Sequence, residues 1–248
     1  MKIVGIIPAR YHSTRFEGKP LANIGGRTMI ERVYRQTRKA KILERVIVAT
    51  DDQRIYQAVE GFGGEVEMTS SSHESGTDRV AEVASRLDMA ANGVVVNIQG
   101  DAPLLRPATV NELVKPLLDD PTLPISTASY RIRNPKEISN PNVVKVAVDK
   151  SGFALYFSRS PIPYIRDGTS RPTLFKHLGI YAYRREFLLN FAKLARSPLE
   201  ITEGLEQLRA LENGYRIKVV QSKYDSPEVN TPQDLEKIRK TFLHPRAL

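Results

Sequence analysis

Four stretches of this chain carry residue types and spacings that could do chemistry. The first runs from Pro8 and Ala9 through Arg10, Ser13, Thr14 and Arg15 to Lys19. Three cations and two hydroxyls in one loop, with its backbone N–H groups, suit a polyphosphate. A solvated basic loop has the same composition. The second is Asn97-Ile-Gln-Gly-Asp101, which delivers Gln99 and one carboxylate to the end of an apolar run. One carboxylate beside phosphates is a common way to hold Mg²⁺, and an Asp after Gly is also a common turn. The third, Ser75-Gly-Thr-Asp-Arg79, reads as a helix N-cap. Capping accounts for the hydroxyls and leaves Arg79 unexplained. The fourth joins Lys176-His-Leu-Gly-Ile-Tyr181 to Glu206 and Gln207. Its His and Tyr residues would sit equally well on an ordinary strand.

The elements that must position these residues follow from periodicity. The run Ile3, Val4, Ile6, Ile7 stops at Pro8, which cannot donate to a central ladder, and a strand there hands the chain to the basic loop. Spacing predicts helices over 29–40, 53–62 and 78–87, and strands over 46–50, 65–69 and 94–98. The last of these strands is apolar enough to be covered on both faces. This alternation is the pattern of a doubly wound, mostly parallel, Rossmann-like α/β sheet flanked by helices. Such sheets bind ligands outside the carboxyl ends of their strands, where the first and second stretches fall, along with Asp51 and Asp52. Neither a Gly-x-Gly-x-x-Gly after the first strand nor a P-loop motif is present.

The pattern changes after residue 121. Strands over 125–131, 143–149 and 153–157, joined by Asn, Pro and Gly turns, read as a smaller antiparallel insertion over 122–185 within one domain, 1–248. That insertion is expected to form a cap or a dimer surface. A helix over 202–213, a strand over 217–220 and a helix over 233–242 complete the chain. A phosphate loop and an Asp–Mg²⁺ edge on such a sheet point to nucleotidyl transfer, without naming base or acceptor.

Composition sets bounds. The 248 residues, 41% of them hydrophobic, suit one large α/β domain. There is no cysteine, hence no disulfide and no thiol catalysis. No apolar run nears the ~20 residues of a membrane helix. The start of the chain lacks the regions of a signal peptide, so a cytoplasmic protein is the simplest expectation. A net charge of +9 admits a nucleic-acid partner, but the 37 Lys and Arg are scattered and only 7% of residues are aromatic. Phosphorylated small substrates account for a basic cleft equally well. Neither nucleic acid nor membrane is expected as a partner.

Taken together, the motifs resemble the 3-deoxy-manno-octulosonate cytidylyltransferases, also called CMP-KDO synthetases. The segments are Ile7-Pro-Ala-Arg10 with Ser13, Arg15 and Gly18-Lys-Pro-Leu21, Val48-Ala-Thr-Asp51, Ser75-Gly-Thr-Asp-Arg79 and Asn97-Ile-Gln-Gly-Asp101. Ala154-Leu-Tyr-Phe-Ser-Arg159, His177-Leu-Gly-Ile-Tyr181 and Leu205-Glu-Gln-Leu-Arg209 follow in order. The resemblance implies transfer of CMP from CTP to the anomeric hydroxyl of an acidic 2-keto sugar, with Mg²⁺ as cofactor. It further implies a cytoplasmic homodimer that serves lipopolysaccharide synthesis. By motif, Arg10, Ser13, Arg15 and Lys19 would hold the CTP phosphates, and Pro8, Ala9, Ser75, Gly76 and Arg79 would line the cytosine end. Asp101 would ligate the metal. Gln99, Arg159, His177, Tyr181, Glu206 and Gln207 would orient the sugar acid.

Two positions depart from the family pattern. Ala102 stands in a variable place. Asn230, in Val229-Asn-Thr-Pro232, stands where the family has a second metal-binding Asp. Asn offers a carbonyl oxygen but no charge, and Asp225 or Glu228 could supply the missing carboxylate. A cytidylyltransferase for a related acid sugar, such as 8-amino-KDO or a nonulosonic acid, is the alternative reading. A non-catalytic nucleotide-binding descendant is a second.

Overall fold

The computed structural model describes residues 1–12, 16–166 and 172–243. β1 is Ile3–Ala9; a short hairpin, β2 (Asn23–Ile24) and β3 (Arg27–Thr28), leads into α1, Met29–Thr37. Next come β4 (Arg45–Thr50), α2 (Gln53–Gly61), β5 (Glu65–Met68), α3 (Gly76–Arg86), β6 (Val94–Asn97) and α4 (Pro107–Asp119). The second half holds β7 (Ile125–Arg131), β8 (Lys145–Val148), β9 (Ala154–Ser158), β10 (Phe175–Arg184) and α5 (Arg185–Phe191). It ends with α6 (Pro198–Glu203), α7 (Gln207–Glu212), β11 (Ile217–Gln221) and α8 (Pro232–Leu243).

Among the described residues nine strands make one sheet in the order β11-β7-β10-β6-β1-β4-β5, with β8 paired to β10 and β9 to β8. β1 runs parallel to β4 and β6, β4 to β5, and β11 to β7. β10 alone along this path is antiparallel to its neighbours, β6 and β7. The sheet is therefore mostly parallel and mixed. In the antiparallel stretch 122–185, β7 and β10 join the main sheet, and β8 with β9 forms the hairpin beside them. Alternation identifies a strand but not its neighbours, which is why the sequence left this open.

Burial on both faces gives the strands their composition. Along β1, Ile3 and Ile7 enter one core, Val4 and Ile6 the other. The first is filled from α1, α2 and α4 by Ile30, Val33, Ile55, Val59, Val110 and Leu113. The second is filled from α3, α5 and α7 by Val80, Val83, Phe187, Phe191 and Leu208. A third cluster, Ile24, Met29, Val229, Leu235 and Ile238, clamps α8 onto β2.

One expected helix is two. In place of a helix over 202–213, α6 starts at a capping box between Ser197 and Glu200 and stops at Gly204, whose φ is +61°. A glycine in the left-handed conformation ends a helix by directing the chain away from its axis, and α7 begins afresh at Gln207.

Candidate active site

Parallel pairing brings the carboxyl ends of β1, β4 and β6 side by side, with Pro8 opposite Ala49 and Ala9 opposite Thr50. The loop after β6 lies directly on the end of β1. A Cβ on Gly100 would come within 2.8 Å of the Pro8 carbonyl oxygen, so only glycine fits there. That packing carries Asp101 to the loop after β1, where Lys19 Nζ donates to Asp101 Oδ2 at 2.5 Å. Both side chains are mostly buried, 17% and 18% exposed. Lys19 opens a single 3-10 turn after Gly18, whose φ of +67° and N–H bond to the Tyr11 carbonyl (2.9 Å) close the loop. Asp101 Oδ1 is buried and has no hydrogen-bond partner among the described residues. Arg10 is exposed at the same edge. Ser13 and Arg15, with Thr14 between them, lie outside the described residues.

The loop before α3 closes a second side. Ser75 caps the helix reciprocally with Asp78, and a Cβ on Gly76 would meet the Pro8 ring at 3.3 Å. Capping does not explain Arg79, and the structure does. Its guanidinium, 4% exposed, donates to Asp51 Oδ2 at 2.8 Å and to the Thr69 hydroxyl. It ties the first turn of α3 to the ends of β4 and β5.

The third side is built by β10. Tyr181 stands opposite Asn97 of β6. Between His177 and Tyr181 the register against β7 shifts, around Gly179 with φ +66°. Residues four apart on a regular strand share a face but lie about 13 Å apart. The bulge folds the His177 and Tyr181 rings to a centroid separation of 5.2 Å and turns the Gly179 carbonyl to accept from Gln99 Nε2 at 2.8 Å. Thr127 donates its hydroxyl hydrogen to the Ile180 carbonyl (2.7 Å), so it accepts from His177 Nε2 at 2.8 Å. The imidazole proton therefore sits on Nε2 and leaves Nδ1 as acceptor. Burial lowers the His177 pKa to about 3, so the ring is neutral. Glu206 accepts from Thr77, which in turn accepts from Asn97 Nδ2 at 3.4 Å. Burial raises the Glu206 carboxyl above its usual range, against hydrogen bonds from Thr77 and Ser75 and the charge of Arg209. Gln207 is buried beside it, its Nε2 without a hydrogen-bond partner among the described residues.

Arg159, at the end of β9, is held by main-chain carbonyls: Nε donates to Glu203 (2.7 Å), Nη1 to Pro141 (2.9 Å) and Nη2 to Gly204 (3.2 Å). Asn230 follows Val229, whose N–H donates to the Asp101 carbonyl at 2.9 Å. Asn230 Nδ2 donates to Glu228 Oε2 at 3.3 Å. Asp225 is engaged elsewhere, accepting from Lys176 at 2.8 Å. No group of three or more His, Asp or Glu placed to hold a metal occurs among the described residues.

A cytidylyltransferase family model matches residues 4–218. A 3-deoxy-manno-octulosonate cytidylyltransferase of Geotalea daltonii is 55% identical over 248 residues, covering 96% of this chain and 97% of its own. The chain belongs to the 3-deoxy-manno-octulosonate cytidylyltransferase family. A solved CMP:2-keto-3-deoxy-manno-octonic acid synthetase complexed with CTP superposes with a TM-score of 0.93 at 44% identity, covering 99% of this chain and all of that one. A 4-diphosphocytidyl-2C-methyl-D-erythritol synthase from Anaerococcus prevotii, 14% identical at TM-score 0.64 and covering 98% and 99%, shares the fold alone. Within this cytidylyltransferase scaffold, sequence reading overlooked Thr77, Asn97 and Thr127 as supports of the pocket. Asn97 carried a signal: it is a buried polar residue closing an otherwise apolar strand, β6.

Proposed function

We propose that the chain transfers CMP from CTP to the anomeric hydroxyl of 3-deoxy-manno-octulosonate and releases pyrophosphate. The observation that carries this reading is Asp101, which joins the basic loop through Lys19 and shares its own loop with Gln99 of the β10 pocket. Lys19 and Arg10, with Ser13 and Arg15 by motif, bind the triphosphate and offset the charge that builds on departing pyrophosphate. Pro8, Ala9, Ser75 and Gly76 line the cytosine end, which Arg79 fixes in place from behind. Gln99, His177, Tyr181, Glu206 and Gln207 orient the sugar acid, His177 as a neutral acceptor, and Arg159 flanks them. The sugar oxygen attacks the α-phosphorus directly, so positioning and charge neutralisation supply the catalysis.

Mg²⁺ fits this donor set. Asp101 Oδ1, without a hydrogen-bond partner among the described residues, is a hard anionic oxygen, and a cation of this kind takes one or two carboxylates plus substrate phosphates. When bound, Mg²⁺ supplies charge neutralisation at the α-phosphate and favours an ionised nucleophile. Asp101 and the 228–230 segment would hold it.

The protein acts as a cytoplasmic homodimer in lipopolysaccharide synthesis. No helix among the described residues is long and apolar enough to cross a membrane. β9 and α6, joined by the Ser158–Glu203 hydrogen bond, present Leu155 and Ile201 at 64% and 60% exposure, with Tyr164 at 86%. Exposed large apolar side chains of this kind suit contact with a second copy of the chain. Sedimentation of the wild type should return twice the chain mass, and Leu155→Glu with Ile201→Glu should return one.

The deciding experiment is pyrophosphate release across nucleotides and acid sugars with Mg²⁺ present. CTP with 3-deoxy-manno-octulosonate should be the preferred pair. Preference for an amino-substituted octulosonate or a nonulosonic acid would reassign the acceptor, and no release with any pair would overturn the reading.

A further inference from the structure

Val229 is fully buried in the cluster of Ile24, Met29, Leu235 and Ile238, and its N–H is bound to the Asp101 carbonyl. With Val229 turned inward, the side chains on either side of it share the opposite face. The Asn230 Nδ2 to Glu228 Oε2 contact of 3.3 Å joins them there. The other Glu228 oxygen lies over Gly179. A Cβ at position 179 would come within 2.9 Å of Glu228 Oε1 and 3.6 Å of Gln99 Cγ. The missing side chain of Gly179 thus makes room for a carboxylate beside Gln99, two residues from Asp101 in the same loop. The Glu228 charge is also felt at Tyr181, where it adds to the burial that raises the phenol.

A second carboxylate adds negative charge to a pocket for two anions, a triphosphate and a sugar acid, and a divalent cation among them offsets that charge alongside Lys19. Asn230 brings no charge, and the nearby Asp234 carboxylate is taken up by the Asn230 and Thr231 N–H groups and the Thr231 hydroxyl, which leaves Asp101 and Glu228 as the carboxylates beside Gln99. Resting on the CTP-and-metal reading above, we infer that Glu228 supplies the second carboxylate toward the divalent cation, oriented by the Asn230 amide. The negative charge that an aspartate at 230 would carry is here moved two residues along the chain, on the same face. Glu228 is in this sense a determinant of metal affinity.

The test is Mn²⁺ binding followed by electron paramagnetic resonance with saturating CTP, on the wild type, Glu228→Gln, Asn230→Asp and the double variant. Glu228→Gln should weaken Mn²⁺ binding about ten-fold or more, as loss of a group that tunes a metal site does. Asn230→Asp in the Glu228→Gln background should recover most of that loss. Unchanged Mn²⁺ affinity in Glu228→Gln would overturn the inference. If the KM for the sugar acid rises while Mn²⁺ affinity holds, Glu228 serves the sugar instead, and the inference also falls. A wild type that binds no Mn²⁺ in the presence of CTP would overturn the metal reading itself. Near-UV circular dichroism checks the fold of each variant, and Glu228→Ala replaces Glu228→Gln if the latter does not fold.

Discussion

Lys19 and Asp101 lie 82 positions apart in sequence and meet at 2.5 Å, both largely withdrawn from water. Desolvating two ions costs more than one contact returns, so the pair is better understood as a site held ready for other charges than as a stabilising bridge. Asp101→Ala should abolish CMP transfer in a pyrophosphate-release assay. Lys19→Met should lower kcat/KM by about 10²–10³, the usual loss when one preorganised charge-stabilising group is removed. Retention of near-normal activity by Asp101→Ala would mean the metal-binding position lies elsewhere. These two residues were legible by type, since a cation among hydroxyls and a carboxylate after Gly at a strand end each declare a chemistry. Glu228 could not be told from Asp225, and neither Asn97 nor Thr77 could be assigned its partner. Their importance comes from what faces them, and a carboxylate beside Gly179 or a hydroxyl beneath Glu206 is visible only once β10 and α7 are in place.

At the level of elements, the first half of the chain read almost directly. β1, β4, β5 and β6 with α1, α2 and α3 follow alternation and helical spacing, because each crossover is short and β1, β4 and β6 are covered on both faces. The second half resisted for a physical reason. β7 and β10 are central strands whose pattern resembles that of a projecting hairpin, and the break between α6 and α7 depends on one backbone angle at Gly204. That break matters to the pocket, because the Gly204 carbonyl accepts from Arg159 Nη2 and the turn delivers Glu206 to Thr77. Gly204→Ala forces a Cβ into the left-handed region at a cost of about 1–2 kcal/mol. Urea denaturation should show a loss of that order. The KM for the sugar acid should rise while the KM for CTP stays near its wild-type value.

For the molecule as a whole, the pocket leaves a signature in acid stability. His177 titrates near its ordinary value in the unfolded chain and at about 3 in the folded one. Between those values the unfolded chain binds the extra proton, so stability rises with pH across that window. The contribution is fully present above pH ~6.5 and is lost as pH falls toward 3. Urea midpoints should therefore drop on acidification from pH 7 to pH 4, and His177→Gln should flatten part of that drop. An acid limb identical in the variant would show that the imidazole is not held neutral by burial. The order of the central strands has a consequence in time. β7 leaves the ribosome some forty residues before β10 yet touches β6 only through it. The first half of the chain can assemble from neighbouring pieces while β7 waits, unseated, for the strand that divides it from the rest. Closure of the sheet is thus the late step, since contacts distant in sequence form slowly. The side of the pocket that β10 builds comes into being only when that strand is threaded home.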